Sequence, residues 1–107
     1  NERIMRLLAL PYLISRRPEW DKFPGAHFSL GSDTLLPSGR AAQVATFHHY
    51  QDNFAKVYDV TYETEKGEHR YVHQTTDGMS ERLLGAMIEY ALMRLRATTR
   101  RLRRARA

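Results

Sequence analysis

The stretch SERLLGAMIEYALMRLRATTRRLRRARA, residues 80–107, decides how the chain is read. At about 100° per residue, Leu84, Ile88, Ala91, Leu95, Thr98 and Leu102 fall on one helical stripe, and Leu83, Met87 and Leu92 widen it. The spacing predicts a long helix with that stripe on the core. Asp77 or Ser80 is placed to cap it, and Glu81 sits near the positive end of its dipole. Arg96, Arg100, Arg103 and Arg104 gather on the opposite side, flanked by Arg94 and Arg101. The helix therefore reads as core-facing early and cationic late. Because the stripe continues from Leu95 to Leu102, residues 94–107 read as an ordered basic extension.

The segments before this helix read as strand. Ala41 to Tyr50 is apolar-rich, but Val44 and Phe47 fall on opposite parities, which a bulge or burial on both faces explains. Phe54 to Thr64 alternates better, with Phe54, Tyr58, Val60 and Tyr62 on one parity. His69 to Thr75 is a third run. Glu65-Lys66-Gly67 suits a hairpin turn, and Gln51-Asp52-Asn53 marks another. Residues 18–40 hold Pro18, Pro24 and Pro37 with Gly25, Gly31 and Gly39. They predict a loop with one short strand, Ala26 to Leu30, docked on the core through Trp20 and Phe23. Glu2 to Arg16 reads as helix, kinked or divided at Pro11 and stopped before Pro18. The expected fold is α+β: an N-terminal helix, an antiparallel β-meander of three to four strands, and a long C-terminal helix packed on the sheet. At 107 residues this is one domain, residues 1–107. Apolar excess on the first helix predicts a homodimer.

Charge is unevenly placed. The last fourteen residues contain seven arginines and no acid, so the first 93 residues sum to −2 while the chain carries +5. Arginine outnumbers lysine 14 to 3, a ratio that favours phosphate contacts and that codon usage explains equally well. The absence of cysteine excludes disulfides and thiolate metal sites. No apolar run reaches the roughly 20 residues needed to span a bilayer, and a cytoplasmic location is expected. The chain begins at Asn1, which implies processing, trimming or excision from something longer.

A basic helix points to a polyanion. The leading expectation is a small non-enzymatic nucleic-acid-binding or regulatory protein, with DNA among its candidate targets. Its phosphate contacts would be Arg94, Arg96, Arg100, Arg101, Arg103 and Arg104. No helix-turn-helix precedes them. The alternative is an adaptor or inhibitor presenting the same helix to an acidic protein surface. Anionic lipid is a further candidate, as is a merely solvated extension.

Other constellations are weaker. His48, His49, His69 and His73 do not make a metal site, because neighbours on a strand face opposite ways. His69 and His73 would also lie about 13 Å apart. Phe47, Phe54, Tyr58, Tyr62 and Tyr71 would serve as a stacking platform for bases or as core, and the burial preference of aromatics favours core. Ser29, Ser32, Ser38, Asp33 and His27 have the residue types of a triad without the nucleophile elbow. Asp59, Glu63 and Lys66 resemble a metal-nuclease set at the wrong spacing. No catalytic residue, metal or cofactor is therefore assigned. An enzyme, the third reading, would need a pocket holding groups such as His48, His69 or Asp59.

Overall fold

Pro11 sets the first boundary. In the computed structural model, which describes residues 1–105, helix α1 spans only Glu2–Leu7. Leu8 N–H donates to Ile4 at 3.0 Å, Leu10 N–H to Met5 at 3.0 Å, and Ala9 turns to φ 51°. Proline lacks an N–H and disfavours helical backbone before it. The helical segment expected to reach Arg16, kinked or divided at Pro11, is thus one short helix followed by strand β1, Leu13–Arg16.

The chain forms an α+β fold with a four-stranded antiparallel sheet and a long C-terminal helix. The sheet order is β1-β2-β3-β6, where β2 is Phe28–Leu35, β3 is Ala41–Gln51 and β6 is Gln74–Met79. Strand β2 starts two residues later than expected and runs five residues further. A separate hairpin pairs β4, Thr61–Glu63, with β5, His69–Tyr71, in the register Tyr62↔Arg70. Its turn is the expected Glu65-Lys66-Gly67, closed by Gly67 N–H to Thr64 O at 2.9 Å.

The strand expected from Phe54 begins instead as helix α2, Asn53–Tyr58. Phe54 and Tyr58 are four apart, a spacing that keeps strand parity and also places neighbours on one helix face. Their rings stack at 6.4 Å and 10°, and Lys56 pairs with Asp52 at 3.0 Å over the same spacing. The helix ends at Asp59, φ 54°.

Helix α3 spans Arg82–Ala105; Arg106 and Ala107 lie outside the described residues. Two compact units share the chain. The first comprises residues 1–13, 32–45 and 79–107; the second comprises 14–31 and 46–78. In the first unit, Met5, Leu10, Val44 and Ala86 form the buried core, with Leu83, Met87 and Tyr90 packed against it. This corrects the expected orientation of α3 in part: Leu83 and Met87, read as widening the stripe, do meet the core. The stripe of Leu84, Ile88, Leu95 and Leu102 is 57–64% exposed, and the neighbouring stripe faces inward. Tyr90 OH donates to Leu35 O, and Arg94 Nη2 to Ala9 O at 3.3 Å, which fixes that rotation. Trp20, expected to dock a loop, is 86% exposed. Among the described residues no helix is long and apolar enough to cross a membrane.

Candidate functional site

A cavity of about 620 Å³ opens in the second unit, walled by Phe23, Tyr50, Phe54 and Tyr58 and floored by residues 73–76. Each wall is held from behind. The segment after β1 turns at Pro18, whose carbonyl accepts from Asp21 and Lys22 N–H at 3.0 Å. Phe23 N–H then donates to Ser29 Oγ at 3.2 Å, and that hydroxyl meets His48 Nδ1 at 2.7 Å. Ser29 has no exposed surface. Tyr50 is buried on β3, its hydroxyl 3.0 Å from Thr76 Oγ1 on β6. Phe54 opens α2, where Asn53 Nδ2 donates to Gly25 O at 2.8 Å.

The rings make a box. Tyr50 and Phe54 meet edge-to-face at 4.7 Å and 74°, and Phe23 lies 5.9 Å from Tyr50 and 6.5 Å from Phe54. Such walls suit saturated carbon and positive charge, through ring faces rich in π density. Beside them Gln74 Oε1 is buried with no hydrogen-bond partner among the described residues. An unsatisfied buried acceptor costs about 1–3 kcal/mol, and Gln74 is one of the residues that line the cavity. The cavity can thus take a small apolar group that carries a cationic N–H.

The histidines do other work. His49 Nδ1 accepts from Gln51 N–H at 3.1 Å, so the proton of the neutral ring sits on Nε2. The same ring stacks on Phe28 at 5.2 Å and 18°. His27 and His73 approach His49 only to 6.1 and 6.4 Å between ring centres, and no group of three potential ligands among the described residues could hold a metal ion. Asp59 ends α2, and Glu63 lies opposite His69 in the backbone register of the hairpin. Ser29 faces His48 but is sealed. Near the turn, Lys22 Nζ at 2.6 Å from Glu19 holds that carboxyl below its ordinary range, by hydrogen bonding first and by charge second.

In the first unit a second cavity, about 510 Å³, lies between the β2–β3 turn and α3. Arg96 and Arg100 line it with Pro37, Leu92 and Met93. Ser38 N–H donates to Glu89 Oε1 at 2.8 Å. Arg96, Arg100, Arg101, Arg103 and Arg104 are all exposed. Arg94, expected beside them, is tied to Ala9 O.

Of the aromatics read as core, Phe54 and Tyr58 line the first cavity, while Tyr62 and Tyr71 are 48% and 40% exposed. Tyr50, Gln74 and Thr76 escaped the sequence reading as site residues, and Phe23 was expected only as an anchor for the loop. The density of aromatics from Phe47 to Tyr62 was the available signal.

No protein-family model matches the chain. The proline–tRNA ligase of Thermococcus kodakarensis is 62% identical over 87 residues, 81% of this chain and 18% of that enzyme. Among solved structures, prolyl-tRNA synthetase of Giardia lamblia in complex with prolyl-adenylate superposes with a TM-score of 0.73. Its identity is 33%, with 77% of this chain and 16% of that one covered. The enzyme of Cryptosporidium parvum complexed with L-proline and AMP gives 0.72 at 40% identity, over 79% and 18%. The chain thus spans less than a fifth of the length of these relatives. The likeness overturns the expectation of a non-enzymatic, DNA-binding regulatory protein: what this chain is similar to is a stretch of ligases that act on proline and tRNA.

Proposed function

We propose that the chain carries the part of a proline–tRNA ligase that holds the amino acid while its carboxylate is activated as an adenylate. The observation that carries this reading is the aromatic box beside the unpaired Gln74 Oε1. Proline is a five-membered ring of saturated carbon closed by a secondary ammonium. Phe23, Tyr50 and Phe54 take its methylenes and its charge, and Gln74 Oε1 accepts from its N–H. The Tyr50–Thr76 hydrogen bond fixes the floor under the ring. Two solved relatives described as holding prolyl-adenylate, or L-proline with AMP, support the same ligand class.

Titration calorimetry of the chain with L-proline, L-alanine and a sulfamoyl mimic of prolyl-adenylate tests it. Alanine lacks two of the ring carbons, at about 0.8 kcal/mol each. Proline should bind about 15-fold more tightly than alanine, and the mimic more tightly still. Equal binding of the two amino acids, or no saturable binding of the mimic, refutes the reading.

We also propose that the chain forms a homodimer. Exposed apolar side chains on and after α1, Leu7 at 76% and Leu13 at 68%, support self-association. Sedimentation equilibrium should show a dimer that Leu7→Glu dissociates; a wild-type monomer at high concentration removes the idea.

A further inference from the structure

We propose that the exposed arginine face of α3 is a contact surface for the phosphate backbone of tRNA, with the cavity beside Pro37 seating one nucleotide of the strand. The choice of RNA rests on the ligase reading above; the surface itself rests on the geometry of α3.

At a rise of about 1.5 Å per residue, Arg96, Arg100 and Arg104 form a row with steps of about 6 Å along the helix, and Arg103 lies beside it. All four are exposed, and among the described residues none has a carboxylate partner. Like charges four residues apart repel on a helix, and the helix dipole favours cations only near its last turn. Arg103 and Arg104 lie in that last turn, whereas Arg96 and Arg100 stay uncompensated in the free chain, and a repeating anion relieves the row. Every cation of this row is a guanidinium; the three lysines lie elsewhere in the chain. The guanidinium fork pairs with two phosphate oxygens at once, which an ammonium cannot do.

The cavity of about 510 Å³ continues this face inward. Arg96 and Arg100 supply its charge, and Pro37, Leu92 and Met93 its apolar lining. Glu89, the carboxylate there, already accepts from Ser38 N–H at 2.8 Å. An apolar seat with two guanidinium groups fits a base with its adjoining phosphate.

Fluorescence anisotropy with labelled tRNA, across a salt series, tests this. The comparison is wild type against the quadruple variant Arg96→Ala, Arg100→Ala, Arg103→Ala and Arg104→Ala. Alanine is the stronger helix former, so α3 persists in the variant, and circular dichroism verifies it. Four phosphate contacts at a slope of about 0.7–0.9 each predict that wild-type affinity falls about 50- to 150-fold more than the variant's between roughly 50 and 200 mM salt. The matching quadruple lysine variant should keep the salt slope and bind several-fold more weakly. Unchanged tRNA affinity in the alanine variant overturns the proposal. So does equal binding of polyglutamate, which would make the face an acidic-protein site. Both quadruple variants should still bind the prolyl-adenylate mimic. If wild type binds the mimic and not tRNA, this inference alone fails. If it binds tRNA and not the mimic, the surface stands and the ligase reading falls.

Discussion

Gly25 and Gly39 both adopt φ +84°, yet their surroundings differ. A Cβ added at Gly39 meets nothing within 4 Å. A Cβ added at Gly25 stands 3.1 Å from two ring atoms of Phe54, the aromatic that walls the proposed proline site. Alanine at either position has to hold a left-handed backbone, at a cost of about 1–2 kcal/mol. Gly39→Ala should therefore lower stability by that amount and leave ligand affinity alone. Gly25→Ala carries the same backbone cost and also drives the Phe54 ring off its resting position. An off-rotamer displacement adds about 0.5–1.5 kcal/mol. It also spoils the edge-to-face contact with Tyr50 at 4.7 Å. Urea denaturation of both variants measures the stability difference, and calorimetry with the prolyl-adenylate mimic measures the site. The expected result is a larger stability loss for Gly25→Ala, with ligand affinity weakened several-fold in that variant only. Equal losses of stability and unchanged affinity in both would show that Phe54 does not define the cavity.

Met5 has no exposed surface and packs with Leu10, Val44 and Ala86; Met5→Ala should cost about 2–5 kcal/mol in the same denaturation assay. Thr34 Oγ1 donates to Pro11 O at 2.6 Å from a fully buried position. Valine keeps the shape and removes that hydrogen bond, so Thr34→Val should cost about 0.5–1.5 kcal/mol. The Glu19 carboxyl is held low by Lys22, so this pair contributes stability above the unfolded carboxylate pKa and loses it as pH falls through the lower folded value. An NMR titration should find the Glu19 midpoint raised in Lys22→Gln, and an unmoved midpoint would show that Lys22 is not the cause.

Local chemistry made part of the fold readable. Gly67 with its flanking Glu65 and Lys66 closes the hairpin at the expected place, and the arginine-rich segment is helical as far as Ala105. Periodicity failed where one spacing serves two structures. Phe54 and Tyr58 satisfy both the even parity of a strand and the four-residue step of a helix, and the Lys56–Asp52 pair helps the helix win. It failed again on α3, whose sequence carries two adjacent apolar stripes. Leu83, Met87 and Tyr90 are packed inward while Leu84, Ile88 and Leu95 stay exposed. A hydrophobic stripe states that a face is apolar; it does not state which apolar face meets the core.

The site was harder to read, for a related reason. Its walls come from the turn after Pro18, the end of β3, both ends of α2 and the start of β6. No two of those segments other than β3 and α2 are near neighbours in sequence, so no motif spacing records them. The functional information lies in pairings: Phe23 N–H on Ser29, Tyr50 OH on Thr76. Each pairing depends on a backbone event, a turn or a strand register, that residue spacing does not encode. The arginine face is the opposite case. Its residues share one helix, so i,i+4 spacing places them together before any tertiary contact is known. A surface built on one element is legible from sequence, whereas a cavity built from four elements becomes legible only when the chain is folded.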